Sequence, residues 1–512
     1  MLSQIPIIER PDMNFKPLYV FVLGIGSVCA APLCAATPTE AWGKLLEDSW
    51  ENQMVESPLF ATRTGDLRFN DQLGKVSVND AKRRHEARLR FRERAKAIDP
   101  TELSAGDQTN YAIWMRLLDD SISEYNFNAY LIPITNRYGF HIEFAELPKR
   151  VPLKTKKHYE DYIARLSGFG EYADEHIKVL QAGIKAGHTL PAVVLEGYED
   201  SIEAHIVKDA ESSLLFAPFQ EFPESVDESD REPLTNSAKK AILESVVPGY
   251  ERFLKFMTGQ YIPSCRSSIG ASGLPNGREF YRHRVRRFTT LDMTPEEIHE
   301  LGQSEVRRIR DEMEQIIRDV KFEGDFAAFL DHLRNDPKFY AEDAEQLMRE
   351  TALVLKKMDG KLPALFKTMP RMPYGIRPVP DYIAPKTTAA YYMQPNGDGT
   401  QAGFYYVNTF NLKSRPLYNV EALSLHEAVP GHHLQIALQQ ELTDLPNFRR
   451  YASVTAFIEG WALYAERLGL ETGFYEDPYT DFGRLTYEMW RACRLVVAVS
   501  YTHLTLPTMC SV

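Results

Sequence analysis

Two or three imidazoles and two carboxylates stand close enough in this chain to share one metal ion. They lie in His426-Glu427-Ala428-Val429-Pro430-Gly431-His432-His433 and, further on, in Phe457-Ile458-Glu459-Gly460-Trp461-Ala462. In a His-Glu-x-x-His helix one turn brings both histidines to one face and leaves the glutamate beside them as general base. The spacing here differs. Pro430 stands four residues after His426, where it removes a backbone hydrogen bond and clashes with the His426 carbonyl, so the helix must break. Reading Ala428-Val429-Pro430 as a bulge, with Gly431 supplying backbone freedom, brings His432 to the second ligand position. On an unbroken helix His432 would lie about 120° from His426, whereas His433 would share its face at about 10 Å along the axis. His426 and His432 are the preferred pair, and His433 stays open as the alternative to His432.

Glu459 follows His432 on a second predicted helix, Thr455 to Leu468, whose Phe457, Trp461, Leu463 and Leu468 point to a buried face. A buried carboxylate needs a partner, and a metal supplies one. Glu466, seven residues on, is spaced to hold a ligating histidine by its free ring nitrogen, with a surface ion pair as its plainer role. The expected chemistry is that of a zinc hydrolase: Zn²⁺ on His426, His432 and Glu459, a water in the open position, and Glu427 as general base. Tyr405, Tyr406 and Tyr487 are candidates for steadying the oxyanion. The plainer reading makes the histidines fillers of a kinked core helix and Glu427 an ordinary ion-pair partner.

The extended string His426-Glu427 to Gly431-His432-His433-Leu434-Gln435, with Phe404-Tyr405-Tyr406-Val407-Asn408 before it and Glu459-Gly460-Trp461-Ala462 after it, resembles the bacterial group known as domain of unknown function 885. Its members look like gluzincin metallopeptidases. Supporting echoes are Ala61-Thr62-Arg63-Thr64-Gly65-Asp66, Pro275-Asn276-Gly277 and Tyr487-Glu488-Met489-Trp490-Arg491. The resemblance implies a mainly α, two-lobed zincin-like architecture with its site in a deep channel; the expected lobe boundary lies near 270–290, and the mechanism read from the motif makes a peptide or small amide the expected substrate. A metal-dependent hydrolase of non-peptide amides or esters, and a non-catalytic helical metal-binding protein, are the alternatives.

The elements that must position these groups are mostly helical. Thr294-Pro295-Glu296-Glu297 is a capping box with proline at the first helical position, and Ile298, Leu301, Ile309, Met313, Ile316 and Val320 follow at helical spacing. Tyr159, Tyr162, Ile163, Leu166, Tyr172, Ile177, Leu180 and Ile184 predict another long helix, ending near Gly187. The acidic, proline- and serine-containing stretch 223–236 predicts a surface loop. Residues 389–395 and 403–409 flank a turn-rich connection and predict a small β-hairpin beside the active-site helix, with 403–409 either an edge strand that pairs with extended substrate or part of a small structural sheet with aromatic packing. The basic run from Lys82 to Lys96 reads as a solvated helix face.

At 512 residues, 44% hydrophobic and 25% charged, the chain is long enough for a sizeable core, and its net charge of −12 argues against nucleic acid as partner. Lys16, the apolar run 18–28 and the small residues Cys34-Ala35-Ala36 read as a signal peptide over 1–36, which implies export to the periplasm or medium and no stable membrane span after cleavage. Residues 37–497 are then the catalytic domain. Residues 498–512 resemble a translated adapter sequence in place of a native segment, so His503 is not counted as a ligand. Of five cysteines, Cys265 and Cys493 remain in the body, enough for one bridge but no disulfide framework. The oligomeric state is not legible.

Overall fold

The computed structural model describes residues 36–136, 138–397, 399 and 401–500. Residues 1–35 of the expected signal peptide, with Cys29 and Cys34, and the tail from residue 501, with His503 and Cys510, lie outside them. From Pro38 onward the chain clusters as one compact unit. Its principal elements in chain order are α1 (Pro38–Glu56), α2 (Pro58–Thr64), α3 (Val78–Lys96), α4 (Ala105–Asn126), α5 (Lys156–Ala186), α6 (Glu228–Ala241), α7 (Pro295–Asp319) and α8 (Ala344–Leu365). Three strands follow, β1 (Tyr374–Pro378), β2 (Ala390–Met393) and β3 (Gly403–Val407). Then come α9 (Val420–Glu427), α10 (His432–Glu441), α11 (Thr455–Glu471) and α12 (Pro478–Ser500). The protein is mainly helical with a small three-stranded sheet.

Local chemistry accounts for the long helices. At the start of α7 the Thr294 N–H donates to Glu297 Oε2 at 2.8 Å and the Glu297 N–H to Thr294 Oγ1 at 3.2 Å, closing the capping box. Ile298, Ile309, Met313 and Ile316 are buried along it, while Leu301 falls off the stripe and is exposed. α5 ends where Gly187 takes a φ of 72°, a left-handed turn that glycine enters without strain. The loop expected over 223–236 is wrong from residue 228 on: α6 begins there and continues through Pro233. Leu234, Ala238 and Ala241 recur at helical spacing, join the same apolar cluster as α5, and outweigh the polar composition.

The predicted hairpin forms: β2 and β3 are antiparallel, with Ala390 opposite Val407 and Met393 opposite Phe404. The edge role of 403–409 does not hold, because β1 lies parallel to β3 on its other side and the order is β1-β3-β2. Both backbone edges of β3 are thus spent on neighbouring strands. The predicted second helix is present as α11, but its buried face consists of Ala462, Ala465, Glu466, Leu468 and Gly469, and Phe457 is exposed. Small residues let α11 approach α9 closely, which a face of large apolar side chains would prevent.

The segment leading into α11 is held by the first helices. Phe448 packs in a cluster with Trp42 and Trp114, and Tyr451 stacks on Trp50 with ring centres 5.8 Å apart. Arg449 Nη1 donates to Asn110 Oδ1 at 2.8 Å, and in the β2–β3 connection the Gly397 N–H donates to the Arg63 carbonyl at 2.9 Å. Cys265 and Cys493 are free thiols. Among the described residues no helix is long and apolar enough to cross a membrane.

Candidate metal centre

The helix breaks where Pro430 requires. α9 ends at Glu427, Ala428 leaves helical geometry at φ −108° and ψ −99°, the Val429–Pro430 peptide is cis, and α10 begins at His432. The break keeps its backbone groups satisfied: the Ala428 N–H donates to Ser424 O and the His433 N–H to Ala428 O, both at 3.0 Å. Trp461 Nε1 on α11 donates to the Pro430 carbonyl at 2.7 Å and pins the break to the neighbouring helix. Gly431 is needed for space rather than for φ, which is −75°. A Cβ there would overlap the carbonyl oxygens of His426 and Leu425.

Across this break His426 and His432 turn toward Glu459. Glu459 Oε2 lies 3.6 Å from His426 Nε2 and 3.8 Å from His432 Nε2, and the two rings stand nearly perpendicular at 84°. One ligand atom from each residue falls within a 4.8 Å cluster. Ligands bonded at about 2.1 Å to a tetrahedral ion are separated by about 3.4 Å. The observed spacings are therefore close to those of a shared cation and too long for hydrogen bonds. Glu459 Oε2 is buried with no hydrogen-bond partner, and so is His432 Nδ1. An orphaned carboxylate oxygen between two imidazole nitrogens fits Zn²⁺, whose ligands are nitrogen and oxygen of this kind.

Behind His426 stands a buried ionic relay. Glu466, 1% exposed, accepts from His426 Nδ1 at 2.7 Å and from Arg491 Nη2 and Nη1 at 2.6 and 3.0 Å. Tyr475 donates its hydroxyl to the Glu466 carbonyl at 2.7 Å. The carboxylate fixes the ring so that Nε2 faces Glu459. Burial pulls the His426 pKa down, but Glu459 and Glu466 overcome it and raise the imidazole to about 9. Burial, reinforced by the charges of His426 and Arg491, holds His432 well below its ordinary value. Glu427, 8% exposed, is pushed up to about 7, chiefly by burial and further by Glu459, against the pull of His426.

His433 points elsewhere. Its Nε2 donates to the Met372 carbonyl at 3.0 Å, so its Nδ1 accepts from the Tyr392 hydroxyl at 2.9 Å, and no ring nitrogen is left for a metal. Of the three tyrosines, Tyr406 stacks on Tyr391 at 4.7 Å in a separate cluster, away from the site. Tyr405 faces α9 beside Ser424 and Glu427 but is only 1% exposed. Tyr487 is partly exposed, feels the charge of Glu427, and has the Arg491 guanidinium 5.5 Å from its ring centre. Sequence reasoning missed the roles of Arg491, Tyr475, Trp461 and Tyr392. Arg491 lies one helical turn after Tyr487 within a segment already notable for resemblance, which was the available signal.

Comparison with known proteins agrees with this fold. A candidate lipoprotein from Colwellia psychrerythraea superposes with a TM-score of 0.83 at 25% identity, covering 91% of this chain and 84% of that one. A candidate lipoprotein of unknown function from Shewanella oneidensis superposes with a TM-score of 0.58 at 15% identity, covering 91% of this chain and 83% of that one. No curated protein matches. The profile of the bacterial family of unknown function DUF885 matches residues 58–505, and the chain belongs to that family.

Proposed function

We propose that the protein is a zinc-dependent hydrolase, with peptides as the favoured substrates. The observation that carries this reading is the orphaned Glu459 Oε2 between His426 Nε2 and His432 Nε2, with Glu427 buried alongside. His426, His432 and Glu459 would hold the ion. Bound there, Zn²⁺ supplies Lewis acidity toward a scissile carbonyl and lowers the pKa of a water. Glu427 takes the proton from the attacking water and returns it to the leaving nitrogen, a task suited to a buried carboxylate beside the ligand set. Glu466 and Arg491 keep the His426 ring in register, and Tyr487 is the tyrosine best exposed to donate to the oxyanion.

The two-lobed zincin arrangement belongs to the same proposal. It is supported by the division of the apolar core, whose largest cluster draws its buried members from 134–261 while a second runs from 309 to 492. With both edges of β3 occupied, extended substrate has the free edge of β2 to follow, and Tyr392 of that strand already touches the metal-bearing helix through His433. Export is part of the reading, supported by the naming of the Colwellia psychrerythraea relative as a candidate lipoprotein. Metal content by mass spectrometry, for untagged wild type and His426→Ala/Glu459→Ala, is the test. About one zinc per chain, lost in the double variant, followed by Glu427-dependent cleavage in a peptide library, sustains the proposal. Folded, metal-free wild type in zinc-supplemented buffer refutes it. Zinc binding with turnover of non-peptide amides alone replaces the substrate class.

A further inference from the structure

A cavity of about 630 Å³ lies among the N-terminal helices, and none of His426, His432, Glu459 or Glu427 lines it. Five guanidinium groups do: Arg63, Arg84, Arg88, Arg150 and Arg165. They outnumber the lining carboxylates, Glu56 and Glu143, in a chain whose net charge is −12. Glu56 is engaged by Arg83 and lies 3.8 Å from Arg84, and Glu143 has no ion pair among the described residues. The basic face of α3 is therefore only partly solvated, since Arg84 and Arg88, one turn apart, look inward.

Arg84 donates through Nη1 to the Lys75 carbonyl at 2.6 Å, but the other four keep donors free, Arg165 fully buried, Arg88 and Arg150 half-buried, and Arg63 exposed. Arg165, fully buried, donates through Nε to Gln72 O at 2.9 Å and through Nη2 to Thr62 Oγ1 at 2.7 Å, yet its Nη1 is buried with no partner. Arg150 Nε is buried without a partner as well. Arg63 lies over the Phe60 ring at 5.0 Å, and neither it nor Arg88 makes a side-chain hydrogen bond or ion pair among the described residues. Burial, then repulsion from Arg84, holds Arg88 below its ordinary pKa. Unpaired buried charge is costly and survives where something else compensates it. The rest of the wall is mixed, with polar Asn52, Gln53 and Ser121 beside the aromatic rings of Trp50, Phe60, Phe91, Trp114 and Phe448.

We propose that this cavity binds a small organic anion. Its oxyanion head is held by Arg63, Arg88, Arg150 and the free Nη1 of Arg165, and its apolar body lies against the aromatic wall. Guanidinium forks match carboxylate and phosphate oxygens in pairs, and the volume suits a ligand of metabolite size. The site shares no lining residue with the metal centre, so its occupancy can be tested on its own.

Thermal unfolding of the whole protein at low salt, with o-phenanthroline present to keep the metal centre from responding, tests this. The probes are N-acetylphenylalanine, phenyl phosphate, inorganic phosphate and the neutral N-acetylphenylalaninamide. Wild type should be stabilised by at least one of the two aromatic anions and not by the amide. The stronger of the two identifies the head as carboxylate or phosphate. Arg88→Gln and Arg150→Gln should be as stable as wild type without ligand, because each relieves repulsion. Each should weaken the anion response about tenfold, as expected for one lost charge-assisted contact. Three results overturn the proposal: no probe stabilises wild type, the amide does so as well as the anions, or the variants keep the full response. Inorganic phosphate matching phenyl phosphate removes the apolar body from it. Unfolding of both variants without ligand assigns the guanidiniums to structure and overturns it too.

Discussion

Replacing Arg491 with methionine tests whether the relay behind His426 is held by its buried ion pair. The substitution keeps the length of the aliphatic stem and removes two hydrogen bonds, at 2.6 and 3.0 Å, from a carboxylate that is 1% exposed. Glu466 would retain His426 Nδ1 at 2.7 Å as its remaining side-chain partner. Removing one member of a buried pair costs about 3–5 kcal/mol, because the other charge stays desolvated, and the surviving histidine contact places this case toward the lower end. Urea unfolding at pH 7, followed by circular dichroism, measures the loss. The double variant Arg491→Met/Glu466→Leu removes both charges and should recover at least half of the stability lost in the single variant. Zinc affinity should fall about 10–100-fold in either variant, since His426 loses its orienting carboxylate or that carboxylate loses its anchor. A single-variant cost below about 1 kcal/mol, or a double variant weaker than the sum of the singles, would refute the argument that the pair is a buried, mutually dependent unit.

Further predictions concern other parts of the molecule. Glu427→Gln should bind zinc as wild type does and lose about 10²–10⁴-fold in hydrolysis, measured as kcat on any peptide the wild type cleaves; unchanged kcat removes the general base. His433→Ala should keep its metal and lose about 1–3 kcal/mol by urea unfolding, because it strands the Tyr392 hydroxyl and the Met372 carbonyl; loss of zinc would instead make it a ligand. His141, His176 and His205 are held neutral by burial, with pKa values pushed down to about 3, 3 and 4. The unfolded chain therefore binds more protons than the folded one below about pH 6.5, so stability present at neutral pH is lost on acidification. The slope is about 1.4 kcal/mol per pH unit for each histidine between about pH 6 and 4, and His176→Phe should remove about a third of their combined slope in urea unfolding. No change in slope on that substitution would contradict the assignment.

Much of the candidate site was legible because its chemistry is local. Pro430 four residues after His426 predicts the broken helix, and the capping box at Thr294 and the stripe from Tyr159 predict two long helices. What escaped depends on contacts distant in sequence. The parallel strand β1, Tyr374-Gly-Ile-Arg-Pro378, has no alternating pattern and carries both a glycine and a proline, so β3 read as an edge when it is central. Pro233 disguised a helix whose burial against α5 outweighs its polar composition. Arg84 and Arg88 belong to a basic run that reads as solvated, and only the neighbouring helices show that two of its turns look into a cavity. Arg491 pairs with a residue on a different helix, a relation no spacing rule encodes.

The contacts of Asn447–Tyr451 with the first helices bear on how this protein can be dissected. Every candidate metal ligand lies after residue 425, which invites expression of a C-terminal half alone. Such a fragment would lose Trp42, Trp50, Asn110 and Trp114, the groups that anchor the lead-in to α11, together with the Arg63 carbonyl that ties down the β2–β3 connection. The third ligand would then hang from an unanchored helix entry. Proteolytic nicking between the halves should accordingly leave the pieces associated under native conditions, and neither piece should capture zinc until the two are recombined.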